Sequence, residues 1–300
     1  MTTAGTAGER IVYLDGEFVP ESQARISVLD HGILHGDSVF DTCLACNGAV
    51  FRLGAHVLRL YESARAVGIQ IPVDVPKMKE LILETVRRNH LREAYIKIVV
   101  TRGVGLYPTL QPTGCQPGVI IFARPYASSI GEADAPRGQR VRITSVRRIP
   151  NQCIDPKIKS CNYLNHVLSY LEAVSAGAKN AIELNLQGYV AEAPGYNVFV
   201  VKNGELLTPG EDILMGITRQ TVFELAVEAG LPCREARLTP FDLYNADEVF
   251  FASTSGGIVP VIEVDGKPVG EGRPGPITVR IRASYSELLE SGAKSTPVYP

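Results

Sequence analysis

The sequence predicts a two-domain protein of mixed α+β and α/β class, with a smaller N-terminal α+β domain before a larger C-terminal domain. Three observations support this prediction. The 300 residues suffice for two modest hydrophobic cores. Strand-like and helix-like patterns alternate through both halves. Between residues 125 and 138 the composition shifts to small, proline and charged residues without periodicity, which is typical of a linker. We therefore expect domains at 1–124 and 139–300, joined by a linker at 125–138.

The N-terminal domain begins with a predicted hairpin, because Asp15-Gly16 favours a tight turn between two strand-like runs. A strand over 38–45 leads to a second such turn at Asn47-Gly48. Further strands are expected over 95–101 and 119–123, and helices over about 56–67 and 76–91. Apolar residues at helical spacing define the inner faces of the two helices: Val57, Leu60 and Ala64 in the first, and Met78, Leu81, Ile82 and Val86 in the second.

The C-terminal domain begins with a predicted strand over 141–149, followed by a helix over about 162–176. That helix carries an apolar face formed by Leu164, Leu168, Leu171 and Val174. Strands are expected over 181–186, 197–202, 248–252 and 259–264, with a turn at Asn203-Gly204. Two more helices are expected over about 218–229 and 276–289.

Composition and charge exclude several classes of function. The formal net charge of −2 provides no broad basic field for nucleic acid. The chain opens without an apolar signal core, and no apolar run reaches transmembrane length, so we expect a cytoplasmic enzyme. Cys43 and Cys46 form a single C-x-x-C without a second pair, so we expect inert thiols. The five histidines show no metal-ligand spacing, and we expect no metal site.

A lysine precedes the helix at 162–176, within the segment Asp155-Pro-Lys-Ile-Lys-Ser-Cys-Asn162. A lysine removed from water has a lowered pKa and becomes a nucleophilic amine, as Schiff-base chemistry requires. Spacing does not choose between Lys157 and Lys159, because residues two apart on an extended segment point the same way. Most lysines lie on the surface, and that reading stays open at this point.

Two later segments offer a carboxylate and anion-binding groups. Glu192 lies between a strand-like run and a Pro-Gly turn, where an ordinary turn carboxylate is the alternative. Met215-Gly-Ile-Thr218 enters a helix, and a helix N-terminus supplies free N–H groups and a favourable dipole for phosphate. Ser253-Thr-Ser-Gly-Gly257 follows an apolar strand and predicts a second small nest.

Taken in order, Lys159-Ser-Cys-Asn-Tyr-Leu-Asn, Gly-Tyr-Val-Ala-Glu192, Asn197-Val-Phe-Val-Val and Gly216-Ile-Thr-Arg resemble the fold-type-IV pyridoxal-phosphate aminotransferases. The resemblance extends from about Val12 to about Leu289. It implies pyridoxal 5′-phosphate as cofactor, and it selects Lys159 as the Schiff-base lysine. It also implies a homodimer, with a cofactor site between the domains that a neighbouring subunit completes near His35 and 103–107.

The resemblance assigns further residues by position. The cofactor-binding set is Arg59, Lys159, Tyr163, Glu192, Ile217, Thr218, Thr254 and Ser255. The substrate-binding set is His35, Phe40, Tyr95, Lys97 and Arg102. The implied reaction is a ping-pong transamination, in which an amine donor displaces Lys159 and a 2-oxo acid later receives the amino group. Lys159 then moves the reacting proton as general base and acid.

The sequence leaves the amine donor open. A hydrophobic, branched-chain type of amino acid is expected from the C-terminal part of the chain, residues 264–277, which resembles branched-chain enzymes. His35 and the turn at 194–197 instead resemble (R)-amine transaminases, so (R)-amines or D-amino acids are the alternative. His35, Thr42, Leu44 and Lys97 replace groups with which branched-chain relatives hold a carboxylate. An aminodeoxychorismate lyase and a catalytically silent cofactor-binding protein are the remaining alternatives.

Overall fold

The computed structural model describes residues 9–126 and 137–299, so most of the predicted linker lies outside the described residues. The strands are β1 Ile11–Leu14, β2 Glu17–Pro20, β3 Ser38–Cys46, β4 Ala49–Phe51, β5 Ala94–Thr101, β6 Gly118–Pro125, β7 Gln139–Arg147, β8 Asn180–Leu184, β9 Val190–Ala193, β10 Tyr196–Lys202, β11 Glu205–Thr208, β12 Cys233–Glu235, β13 Glu248–Ser253, β14 Gly257–Val264, β15 Lys267–Pro268 and β16 Ser295–Pro297. The helices are α1 His31–Leu34, α2 Leu53–Ala66, α3 Val75–Arg88, α4 Leu164–Ser175, α5 Ile217–Glu228, α6 Pro240–Tyr244 and α7 Pro276–Glu290, with a 3₁₀ turn at Glu21–Gln23. Within these two stretches, no helix is long and apolar enough to cross a membrane.

The described residues form two compact units. The first contains residues 9–126, 159–161 and 294–299, and the second contains 137–158 and 162–293. The chain therefore returns to the first unit twice, once with the lysine segment and once with its C-terminal strand. Both units combine strands with helices, as the predicted mixed class requires.

The first unit is built on a seven-stranded sheet in the order β16-β4-β3-β5-β6-β1-β2. Strand β5 alternates between buried and half-buried residues, which is the pattern of a sheet with one covered face. Helices α2 and α3 pack on the covered face, and their predicted inner residues are buried. Helix α2 begins at Leu53, three residues before the predicted start, after Arg52 in the left-handed conformation.

The second unit is built on a sheet that closes on itself. Strands β10, β13, β14, β7, β8 and β9 follow one another, and β9 pairs again with β10. Strand β7 is parallel to β8, and α4 provides the crossover that parallel neighbours need. Closure leaves fewer free strand edges and surrounds an apolar core that includes Phe251 and Val259.

The three predicted tight turns are confirmed. Asp15, Asn47 and Asn203 have positive φ angles of 49°, 52° and 51°, and each is followed by a glycine with positive φ. These turns join β1 to β2, β3 to β4 and β10 to β11. Paired positive φ angles match the twist of the flanking strands, which is why Asn-Gly and Asp-Gly occur at such positions.

In helix α4 the hydrophobic pattern does not coincide with the buried residues. The predicted apolar face exists, but Leu164, Leu168, Leu171 and Val174 are all exposed on the chain. The buried residues of α4 are instead His166, Ser169 and Ala173. These small and polar residues face the sheet, where Ser169 Oγ lies 2.7 Å from Thr144 Oγ1. The apolar stripe of α4 therefore does not form part of the core of its unit.

Candidate active site

The lysine segment runs along the first residues of β3 in the first unit. The Phe40 N–H donates to the Lys159 carbonyl oxygen at 2.9 Å, and the Cys161 N–H donates to the Ser38 carbonyl oxygen at 2.9 Å. The Lys159 N–H donates to Ser63 Oγ of α2 at 3.1 Å. Backbone bonds on both sides therefore fix the lysine, and its side chain starts from a rigid position.

Burial separates the two candidate lysines. Lys157 is exposed, whereas Lys159 is half-buried. The Lys159 Nζ atom lies 4.6 Å from the centroid of the Phe40 ring. The segment is extended where Ser160 bridges Val39 of β3, so direction along the chain does not distinguish Lys157 from Lys159, whereas burial does. An amine kept partly out of water against an aromatic face suits a nucleophilic role better than one in bulk solvent.

A second lysine approaches the same ring. Lys97 Nζ lies 3.8 Å from the Phe40 ring centroid. Burial lowers the pKa of the Lys97 amine, and the positive charge of Lys159 lowers it further. Tyr95 lies two residues before Lys97 on β5, so both side chains point to the same face of the sheet. Their cross-strand partners on β3 are Leu44 for Tyr95 and Thr42 for Lys97.

Arg59 belongs to a buried ionic cluster on the opposite, helix-covered face. Its Nε and Nη2 atoms donate to Asp41 at 2.8 and 2.9 Å. A further side-chain contact of Asp41 is His56 Nδ1 at 2.7 Å. Burial lowers the pKa of His56 despite the nearby carboxylate. The Arg59 guanidinium is thus held in a fixed plane by a carboxylate that is inaccessible to solvent.

The two remaining first-unit candidates lie in a loop network around α1. Arg102 donates to Asp37, to the Val67 carbonyl oxygen at 2.6 Å and to the Gly68 carbonyl oxygen at 3.0 Å. Most of its donors therefore serve the end of α2 and the loop. His35 ends α1, its ring makes an edge contact with His31, and its Nε2 has no partner among residues 9–126 and 137–299.

In the second unit, Glu192 of β9 is a buried carboxylate with fixed orientation. Arg148 Nε donates to its Oε1 atom at 2.5 Å, and the Leu214 N–H donates to its Oε2 atom at 3.0 Å. Arg148 is buried as well. Hydrogen bonds to both oxygens fix the orientation of this carboxylate. Tyr163, at the N-terminus of α4, packs its ring 4.7 Å from the ring of His166.

The segment after Leu214 leads directly into the N-terminus of α5. Ile217 and Thr218 are its first residues, both are buried, and Gly216 before them provides no side-chain cap. The absence of a capping side chain leaves the first N–H groups of α5 oriented for an anion. Gly216 is required there because a Cβ would lie 2.0 Å from Asn197 Oδ1.

Thr254 and Ser255 lie in the turn between β13 and β14. The Gly256 N–H donates to Ser253 Oγ at 3.0 Å, which shapes the turn. A Cβ on Gly256 would lie 2.4 Å from the Tyr196 ring, so the backbone passes close to that tyrosine. The predicted nest is therefore a compact hairpin turn whose two hydroxyl side chains are half-buried.

Sequence reasoning missed the buried charged partners of these groups. Asp41, Arg148, His166 and Glu183 are all less than one-tenth exposed. A sequence signal existed for two of them: Asp41 and Glu183 each interrupt an otherwise apolar strand pattern. A lone charge in such a run needs a buried partner, although the sequence does not identify that partner.

Comparisons with known proteins agree on one family. The family model described as amino-transferase class IV matches residues 38–264. A protein of Methanocaldococcus jannaschii named "Putative branched-chain-amino-acid aminotransferase" is 44% identical over 280 residues, which cover 92% of this chain and 96% of that protein. The branched-chain-amino-acid aminotransferase of Pseudomonas aeruginosa is 37% identical, with 93% and 92% covered. A crystal structure of the T.th. branched-chain amino acid aminotransferase with pyridoxamine 5′-phosphate has a TM-score of 0.92 and 34% identity, with 98% and 100% covered.

Proposed function

This chain belongs to the class IV aminotransferases, a family that uses pyridoxal phosphate, and we propose that it moves an amino group from a branched-chain amino acid to a 2-oxo acid. The assignment of residues within this activity is part of the proposal. The observation that carries it is the half-buried amine of Lys159, fixed by backbone bonds and placed against the Phe40 ring.

The residues present fit the cofactor by the chemistry of their donors. Pyridoxal phosphate, when bound, supplies an aldehyde that reacts with amines and a ring that accepts electrons. An aldehyde needs an amine, which Lys159 supplies. A ring nitrogen needs an anion, and Glu192 is a buried carboxylate held by Arg148. A phosphate needs N–H donors, which the start of α5 at Ile217 and Thr218 provides.

Lys159 holds the amine that the donor displaces and then carries the proton that leaves and returns to the substrate. Glu192 keeps a positive charge on the ring nitrogen. Arg59, whose plane Asp41 fixes, assists phosphate binding together with Thr218. The remaining assignments are Tyr163, Thr254 and Ser255 for the cofactor, and His35, Phe40, Tyr95, Lys97 and Arg102 for the substrate.

A second candidate is an (R)-amine or D-amino-acid donor, and the state of the cationic side chains favours the amine, which has no α-carboxylate. Arg102 commits most of its donors to Asp37 and to α2, so little of its guanidinium is left for a substrate carboxylate. Lys97 is a single point charge packed on the Phe40 ring, which makes it a weaker carboxylate anchor than an arginine fork. A donor without an α-carboxylate would need neither cation.

The experiment is a donor panel on the purified holoenzyme. L-Leucine, D-alanine and (R)-1-phenylethylamine are compared at equal concentration with 2-oxoglutarate as acceptor. We expect L-leucine to give the highest kcat/KM. Rapid turnover of (R)-1-phenylethylamine with none of L-leucine would reject the branched-chain assignment in favour of the second candidate. Release of pyruvate from aminodeoxychorismate without an amino acceptor would indicate the lyase.

The homodimer and the cytoplasmic location belong to the same proposal. The exposed apolar face of α4 supports the homodimer, because contiguous apolar surface of this kind is commonly buried in association. Val104, Leu106 and Tyr107 are a second exposed apolar group, in the loop expected to meet a neighbouring subunit.

A further inference from the structure

We propose that Glu183, acting through His166, is a positioning residue that strengthens the hold of Glu192 on a protonated ring nitrogen. The inference rests on the proposed function, in which Glu192 meets that nitrogen. It concerns three buried side chains on neighbouring elements of the second unit: Glu183 of β8, Glu192 of β9 and His166 of α4.

Glu183 is placed to orient the histidine. It is fully buried, and its Oε1 atom lies 3.0 Å from His166 Nδ1. Because a carboxylate only accepts hydrogen bonds, the Nδ1–H group of the ring donates to it. The Tyr163 ring packs against the imidazole from the start of α4. The ring plane is thereby fixed, and its other nitrogen points in a defined direction.

That direction is toward Glu192. His166 Nε2 lies 3.8 Å from Glu192 Oε1, the same oxygen that receives the Arg148 hydrogen bond. The second oxygen of Glu192 receives the Leu214 N–H. The groups in contact with the imidazole and with Glu192 thus include two carboxylates, one guanidinium and the ring of Tyr163.

The charges of this cluster do not balance without another proton. Glu183 and Glu192 are two buried carboxylates, whereas one permanent cation, Arg148, pairs with Glu192, and the contact of Glu183 is the imidazole of His166. The Oε2 atom of Glu183 is buried and has no hydrogen-bond partner among the described residues. A buried charge without compensation is costly. His166 Nε2 lies 3.8 Å from Glu192, too far for a hydrogen bond, so the imidazole is bonded as a neutral ring through Nδ1–H alone. A cluster with a neutral imidazole attracts one further positive charge, which a protonated ring nitrogen at Glu192 would supply.

The role of Glu183 follows from this imbalance. With one carboxylate, Arg148 alone would neutralise Glu192, and the attraction for a ring proton would fall. The second carboxylate, connected through His166, restores that attraction. Replacing Glu183 by glutamine keeps an acceptor oxygen for His166 Nδ1–H and removes the negative charge, so the substitution isolates the electrostatic contribution.

The test uses holoenzyme loaded with pyridoxal phosphate that carries ¹⁵N in the ring. The ring-nitrogen resonance and the pH titration of the visible band are recorded for Glu183→Gln, His166→Phe, the double variant and Glu192→Gln. We expect Glu183→Gln to move the resonance toward its unprotonated position and to raise the apparent Kd of the cofactor about tenfold, which is the size of effect that supporting residues have on ligands at metal sites. In the His166→Phe background, Glu183→Gln should cause a smaller further shift, because the charge of Glu183 still acts through space but the connection through the imidazole is lost.

Controls separate the possible failures. Glu172 lies on α4, as His166 does, but it accepts a hydrogen bond from Ser145 instead of contacting the cluster, so Glu172→Gln should leave the resonance unchanged. If Glu192→Gln moves the resonance and Glu183→Gln does not, this inference is wrong and the proposed function stands. If neither moves it, the assignment of Glu192 itself fails. A lowered melting temperature with an unchanged resonance would reduce Glu183 to a structural role. Should Glu183→Gln not fold, His166→Asn keeps a donor near Nδ1, removes Nε2, and should still shift the resonance.

Discussion

The carboxylate of Asp41 receives two hydrogen bonds from Arg59, one from Nε at 2.8 Å and one from Nη2 at 2.9 Å. Asp41 is completely buried on β3, and Arg59 lies one turn after His56 on α2. This fork fixes the plane of a guanidinium that we assign to phosphate binding. It also connects α2 to the strand along which Lys159 lies.

The Asp41–Arg59 pair should contribute strongly to folding stability. Removing one member of a buried ion pair typically costs about 3 kcal/mol or more, because the other charge stays buried without compensation. We expect Asp41→Asn to lower the free energy of unfolding in urea by about that amount at pH 7. Glu80→Gln, which removes an exposed pair with Lys77, is the control and should change it little. Equal effects of the two substitutions would contradict this account.

The same pair should make stability depend on pH in a defined direction. Burial alone would raise the pKa of Asp41. The charges and hydrogen bonds of Arg59 and His56 more than offset this effect, so the pKa of Asp41 lies well below its ordinary range. The ionised carboxylate therefore stabilises the fold above the unfolded pKa of about 4, and this stabilisation is lost as the pH falls. The difference in unfolding free energy between the unaltered protein and Asp41→Asn should shrink by about 1.4 kcal/mol per pH unit below about pH 4. A difference that stays constant from pH 7 to pH 3 would exclude this mechanism.

Local patterns predicted much of the fold because they express local physics. The three hairpin turns followed from residues that tolerate positive φ, and the inner faces of α2 and α3 followed from helical spacing. The pairing of Asp41 with Arg59 did not follow, since it joins a strand to a helix through tertiary packing. The buried set Glu183, His166 and Arg148 was missed for the same reason.

Helix α4 gives the complementary lesson. Periodicity identified its apolar stripe correctly, but a pattern does not show which surface covers that stripe. In the single chain, Leu168 and Leu171 are 49% and 56% exposed, and the small side chains of Ser169 and Ala173 face the sheet. Hydrophobic spacing indicates that one face of a helix is shielded from water. Either the core of the same unit or another molecule can provide that shielding.

If a second copy of the chain covers α4, charge on that face should prevent association. We expect the double substitution Leu168→Glu and Leu171→Glu to halve the molar mass measured by light scattering. Val227→Glu on α5 is a matched control, because Val227 is also exposed but belongs to a different helix. A dimer that persists in the double variant would show that this face is not the interface.

The close approach at Gly216 should control cofactor binding. A Cβ there would lie 2.0 Å from Asn197 Oδ1, and the Asn197 amide donates to the Leu214 carbonyl oxygen at 2.8 Å. An added methyl group must therefore displace the segment that contacts Glu192 and starts α5. Overpacking of this kind costs about 1–3 kcal/mol, so Gly216→Ala should weaken pyridoxal phosphate binding about tenfold or more.

Titration of the cofactor-free protein by fluorescence measures this change in affinity. Gly54→Ala is the control, because its Cβ would meet only the end of the Lys79 side chain at an ordinary 3.5 Å. Unchanged affinity in Gly216→Ala would mean that the start of α5 does not hold the phosphate.

The most direct measurement identifies the lysine that bonds the cofactor. The holoenzyme is reduced with borohydride, digested, and mapped by mass spectrometry for the phosphopyridoxyl group. We predict the modification at Lys159, whose amine is half-buried against Phe40. Modification at Lys97, which faces the same ring, or at the exposed Lys157 would contradict the assignment.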